Sequence, residues 1–187
     1  MADALTTPVK RVLHLVAGLA CLMTMAPAAT LERLAFNDMI TGSTSIVRAR
    51  VTGSYAAFTG PIIYTHYQIQ ISETLKGTKV AEFVVQGGVA NHMRQNFAGV
   101  PQFNVGDEYV FFLWTGKSGM TQIMGLTQGL FAVAQDGSAD PTTTRNASHE
   151  VMLQRGTNLQ VKDQTLVMTM SQLRAQIAAV LNPKGAK

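Results

Sequence analysis

The sequence predicts a mainly β fold: a small antiparallel barrel or sandwich of five to seven strands, a short N-terminal helix and a C-terminal amphipathic helix. Three observations carry this. Short apolar or alternating runs recur between turns built on glycine, proline and aspartate, such as Thr59-Gly60-Pro61, Lys76-Gly77-Thr78, Lys117-Ser118-Gly119 and Asp136-Gly137. Two of the runs, Ser45 to Val51 and Ile62 to Leu75, alternate with the period of two of a half-buried strand. Near the end, Thr169 to Leu181 has helical spacing instead.

Taken in order, Thr30 to Ile40 is predicted as a helix, with Thr30 as its cap and Leu31, Leu34, Ala35 and Met39 near helical spacing. In the strand Ser45 to Val51, Ile46, Arg48 and Arg50 share one face and Val47, Ala49 and Val51 the other. Gly53 marks a bulge or bend. Ile62 to Leu75 is the longest strand signal, and Ala81 to Val85 follows the Gly77 turn. Gly87 to Gln102 reads as a long polar loop, a length uncommon unless the loop is functional or mobile. Phe103 to Asp107 turns the chain, with Asp107 serving the turn. Glu108 to Trp114, Met120 to Met124 and Gly129 to Ala134 read as further strands, so Phe111 and Phe112 must face opposite ways. Pro141 to Ala147 reads as a polar loop, and Glu150–Gln154 with Leu159–Lys162 as a hairpin around Gly156. In the last helix Thr169 and Gln172 fit a capping box, Leu173, Ile177, Val180 and Leu181 form the apolar stripe, and Pro183 ends it.

Residues 1–28 have the parts of a secretory signal peptide. Lys10 and Arg11 give the charged start, Val12 to Met25 the apolar stretch, and Ala26-Pro27-Ala28 the small-residue cleavage site, with Ala29 the adjacent alternative. The expected product is a single β-barrel domain over residues 29–187, exported to the periplasm or beyond, with no stable membrane span after cleavage. Cys21, the sole cysteine, raises lipidation as a minor alternative; Gly18 stands where a lipobox carries leucine. Without Cys21 the exported domain has no disulfide, cysteine nucleophile or thiolate ligand.

Of 187 residues, 47% are hydrophobic and 14% charged, which excludes a disordered, highly charged chain and allows a real core. The net charge is +4, but the basic residues are scattered: Lys10-Arg11, Arg48 with Arg50, and Lys76 with Lys79 are the nearest to clusters. That dispersal and export both argue against nucleic acid as partner.

The runs Leu34-Ala35-Phe36, Ser45 to Val51, Glu73-Thr74-Leu75-Lys76-Gly77 and Gly106-Asp107-Glu108-Tyr109-Val110-Phe111-Phe112-Leu113 carry a resemblance. Over residues 31–115 the chain resembles a group of uncharacterised exported bacterial proteins. More distantly it is similar to the netrin-like modules, which include the tissue inhibitors of metalloproteinases. The resemblance implies an OB-type barrel of five strands with flanking helices. Those inhibitors hold the protease zinc with an N-terminal cysteine, and no cysteine follows Cys21 here, so that route of inhibition does not carry over.

No catalytic motif emerges. His66, His92 and His149 have no metal-ligand spacing, so no metal or cofactor is expected. Gly116-Lys117-Ser118-Gly119 lacks the spacing of a nucleophile elbow. Asp107 and Glu108 are adjacent on an extended segment and point apart. Tyr55, Phe58, Tyr64, Tyr67 and Trp114 are candidates for an exposed stacking face, against the plainer reading as core. Binding residues favour loops on a rigid scaffold. The sequence therefore points to a non-enzymatic binding module with a protein or glycan partner, and Asn91, His92, Arg94, Gln95 and Asn96 are its candidate contact residues. The alternatives are an envelope structural protein that self-associates or docks through its C-terminal helix, and a hydrolase whose site the sequence does not reveal.

Overall fold

The computed structural model describes residues 30–183; the export segment, its cleavage site and Cys21 lie outside the described residues. The order is β1 (Thr30–Arg33), α1 (Phe36–Gly42), β2 (Ser45–Thr59), β3 (Ile62–Gly77), β4 (Glu82–Gln86), β5 (Gly88–Ala90), β6 (Met93–Gln95), β7 (Glu108–Thr115), β8 (Thr121–Ile123), β9 (Leu130–Val133), β10 (Thr142–Arg145), β11 (Val151–Gln154), β12 (Gln160–Val161), β13 (Leu166–Thr169) and α2 (Met170–Leu181).

The long hairpin β2–β3 organises everything else. Gly60 takes φ 60° in the Gly60–Pro61 connection, as the first central position of a type II′ turn requires. Register shifts at Ile46/Val47, Arg48/Ala49 and Val51/Gly53 bend the pair, the last of them at the glycine the sequence marks. Pairings then run β7–β2–β3–β4–β8 and return from β8 to β7. This order, with β8 inserted between β4 and β7, is that of an OB-like Greek-key barrel. The β4–β8 seam rests on a single pair, Val84 with Gln122, so the barrel is not closed there.

Strand β7 also starts a branch. Its Leu113–Thr115 end pairs with β8, while Tyr109–Phe111 pairs with β9 along the same edge. From β9 the sheet continues through β10 to β13. Beside it β1 lies parallel to β11, and β12 completes a second, three-stranded sheet.

Two cores follow from strand alternation. Val47, Ala49, Val51, Tyr67, Phe83, Phe111 and Leu113 fill the barrel. Ile46, Val110, Phe112 and Phe131 face out and pack beneath Met39 and Ile40 of α1 and Met170, Leu173 and Ile177 of α2. Phe111 and Phe112 therefore divide between the cores as expected. The capping box at Thr169 and Gln172 is formed. The α2 stripe is buried in this chain's own core, with Leu173 0% and Ile177 2% exposed. Val180 and Leu181, the rest of the stripe, are half-buried against the same core.

Three expectations need correction. Thr30 to Ile40 is not one helix: Thr30–Arg33 is strand β1, whose backbone pairs with β11, and the helix starts at Phe36. A distant strand outweighed a weak local signal. Pro141 to Ala147 is not simply a loop, because Thr142–Arg145 forms β10 between β9 and β13. Its inward residues are polar, so it lacks an apolar alternation. Thr143 Oγ1 donates to the Met168 carbonyl at 2.9 Å, and Arg145 pairs with Asp163 at 2.7 Å. Finally, the stretch Gly87 to Gln102 opens with the β5–β6 hairpin rather than an irregular loop.

The basic pairs have structural work. Arg48 and Arg50 both grip Glu108, at 2.6 and 2.8 Å. Lys76 Nζ donates to the carbonyls of Ile40, Thr41 and Ser43 at 2.6–2.8 Å and so caps the C-terminal end of α1. Burial pushes its pKa down.

Candidate functional site

The β5–β6 hairpin projects from the barrel at the β2–β3 end. Its turn residues, Asn91 and His92, have φ 48° and 62°, the pair of left-handed positions of a type I′ turn. Both are exposed at the tip. At the base, Gly88 presses on the barrel: a Cβ there would lie 2.6 Å from Thr65 Oγ1. Gly87 N donates to the Ile63 carbonyl at 2.7 Å. Gln95 is a clamp: its Oε1 accepts from Ile63 N at 2.7 Å and its Nε2 donates to the Pro61 carbonyl at 2.9 Å.

Of the five predicted contact residues, then, the structure holds four outward on this segment, Asn91, His92, Arg94 and Asn96, while Gln95 fixes the hairpin to the β2–β3 turn. Register puts Val89 beside Arg94 on one face and Ala90 beside Met93 on the other. Val89, Met93 and Phe97 are 51%, 56% and 40% exposed. Val89 and Met93 thus present apolar surface on opposite faces of the hairpin, Val89 beside the Arg94 cation, and Phe97 adds a third exposed apolar side chain just after it.

Between this segment and the barrel lies a cleft of about 320 Å³, bordered by Thr65, Gln86, Arg94, Asn96 and Phe97. Val100 and Pro101 form its far wall and also the near wall of a second cleft, of about 420 Å³. There the Glu150 carboxylate lies against Gly99, where a Cβ would fall 2.7 Å from Oε1. Its Oε2 is buried with no hydrogen-bond donor among the described residues. Tyr109 borders the same cleft; burial and the nearby Asp107 push its hydroxyl pKa up, which keeps it a neutral donor. The pair can accept and donate a hydrogen bond to a ligand hydroxyl or amide.

The aromatics divide. Tyr67 is inside the barrel with Phe83 and Phe111. Tyr55, His66, Val84, Gln122 and Trp114 form one register row across five strands on the side away from the barrel core, with Val84 at its centre buried. Tyr55 stacks on His66 at 4.5 Å, and Glu82 bonds both, at 3.3 Å to the Tyr55 hydroxyl and 3.0 Å to His66 Nδ1. Partial desolvation and the Glu82 carboxylate push the Tyr55 pKa up. Trp114 is 46% exposed at the other end of the row.

Sequence reasoning missed Glu150, Tyr109 and Glu82 as site residues. Glu82 gains its partners from β2 and β3, and Glu150 and Tyr109 meet at one cleft only through the fold, so no local spacing signals them. Among the described residues no group of three ligating side chains is placed to hold a metal, and no helix is long and apolar enough to cross a membrane. No protein-family model matches this chain, and no curated protein is detectably similar to it.

Proposed function

We propose that this chain is an exported, non-enzymatic binding module that contacts its partner through the β5–β6 hairpin and the segment following it to Gln102. The observation that carries the reading is the exposure of Val89, Met93 and Phe97 within residues 89–97, interspersed with the exposed Asn91, His92, Arg94 and Asn96. Exposed apolar side chains on both faces of a hairpin that also carries a cation and amides suit a protein partner that takes the hairpin into a groove, since Phe, Met and Arg are enriched at interface centres. Gln95 and Gly88 hold the hairpin in place before binding, which reduces the ordering cost of association. A glycan partner finds support in Tyr55 and Trp114, the exposed rings at the two ends of their register row, which offer stacking. The OB-like strand order supports the netrin-like kinship as part of the same proposal; fold likeness alone assigns no activity.

The test compares the full chain with a Val89→Ser/Met93→Ser/Phe97→Ser variant as bait in envelope and culture-medium extracts. A partner held by the first and lost by the second, at equal melting temperature, is the expected result. Equal capture by both baits would refute the hairpin as contact surface.

A further inference from the structure

A different part of the molecule holds a cleft of about 620 Å³ between α1, the β1–β11–β12 sheet and the β10–β13 edge. Its walls are of two kinds. Leu34, Phe36, Met39, Val161 and Leu166 are apolar, and the first three belong to or pack on the outer core. The charged groups are Arg33, Arg145, Arg155 and Asp38.

Arg145 is the unusual member. Its side chain is 3% exposed and that of its partner Asp163 1%. Arg145 Nη2 donates to Asp163 Oδ1 and to the Gln164 carbonyl, both at 2.7 Å. Asp163 Oδ2 takes the Ser148 amide at 2.8 Å, so both carboxylate oxygens are engaged. The Nε–H of Arg145 has no acceptor among the described residues. Native proteins rarely leave a buried charged donor unpaired, because its lost hydration is not replaced. A bound molecule that brings an acceptor would satisfy it, and Arg145 borders the cleft through which one could arrive.

The pairing of the arginines around the cleft bears on the kind of acceptor that fits. Arg145 is matched by Asp163, and Arg155 pairs with Glu32 and lies 3.4 Å from Asp38. Arg33 takes part in none of the ion pairs among the described residues, and it stands exposed at the rim. The formal charges balance, three arginines against Asp163, Glu32 and Asp38, but those carboxylates are held by Arg145 and Arg155, so Arg33 alone lacks a carboxylate partner, on the same cleft as a planar guanidinium whose geometry suits carboxylate.

We propose that this cleft is a second binding site, for an apolar molecule that ends in a single carboxylate. The carboxylate sits between Arg33 and Arg145, and the apolar body lies on Leu34, Phe36, Val161 and Leu166. The volume lies within the range of small-ligand pockets, about 300–1,000 Å³. This site is independent of the hairpin surface.

Titration calorimetry of the full chain with dodecanoate tests it, with dodecanol as the uncharged comparison. Dodecanoate is expected to saturate at one site. Arg33→Gln, at an exposed position that leaves the fold intact, weakens it about tenfold, the worth of one ion-pairing contact of ~1.4 kcal/mol. Arg145→Lys keeps the charge but loses the planar fork, and weakens it by at least as much. Dodecanol binds at least about tenfold more weakly. Arg94→Gln on the hairpin leaves binding unchanged. Failure to saturate below about 1 mM, equal binding to Arg33→Gln and the parent chain, or equal binding of dodecanol would each overturn the proposal.

Discussion

Asp163→Ala isolates what the buried ion pair contributes. The change removes the acceptor of Arg145 Nη2 at 2.7 Å and that of the Ser148 amide at 2.8 Å. With Arg145 3% exposed, its charge recovers little hydration. Breaking a buried pair from one side costs roughly 3–5 kcal/mol, and the orphaned amide adds about 1 kcal/mol. At roughly 2–4 °C per kcal/mol for a chain of this size, the melting temperature should fall by on the order of 10 °C or more. Removing both partners is different. In Arg145→Met/Asp163→Leu no unpaired charge remains, and apolar replacement of such pairs is often neutral. The double variant should recover most of the loss, which makes the cycle strongly non-additive. Thermal melts followed by circular dichroism, with urea midpoints as a second measure, read all four proteins. A loss of under about 1 kcal/mol for Asp163→Ala, or a double variant as unstable as the sum of the singles, would refute the reasoning. It would mean that Arg145 is stabilised by groups other than this carboxylate.

Two further outcomes follow from the geometry. Gln95→Ala removes both clamps on the β2–β3 turn and should cost roughly 1–3 kcal/mol, with faster amide exchange at Ile63. Asn96→Ala, exposed and unclamped, should stay within about 0.5 kcal/mol of the parent. Asp140 accepts from Ser171 N and Ser171 Oγ, both at 2.7 Å, and these bonds hold its carboxyl below the usual range. A depressed pKa contributes stability above the unfolded value, about 3.9, which is lost as pH falls through the lower folded value. Asp140→Asn should therefore lower the melting temperature at neutral pH and flatten the decline below about pH 4. Identical acid limbs in parent and variant would contradict this role.

Much of the barrel was legible in the chain. The alternation from Ser45 to Val51 separated the inward Val47, Ala49 and Val51 from Ile46 and the Glu108-bound arginines. Phe111 and Phe112 had to face opposite ways, and they entered separate cores. Thr169 and Gln172 announced the α2 cap from three residues' spacing. These features depend on neighbours within a turn or two, where the 2.0 and 3.6 periods apply directly.

The remainder needed the tertiary structure. Thr30–Arg33 became a strand only because β11, far along the chain, offers it a parallel partner. Thr142–Arg145 concealed itself because its buried face is polar, completed by Met168 and Asp163 from other segments. The sequence located Gly87 to Gln102 as the exceptional segment, but it ranked Gln95 with its neighbours. Only the fold showed that this amide grips Ile63 and Pro61 while Arg94 and Asn96 remain free to face a cleft. The cleft around Arg145 is the furthest from local signals, since it gathers α1, β1, β10 and β13 into one wall. Periodicity records which side of an element is buried; which distant polar groups meet there is decided by strand order and register alone.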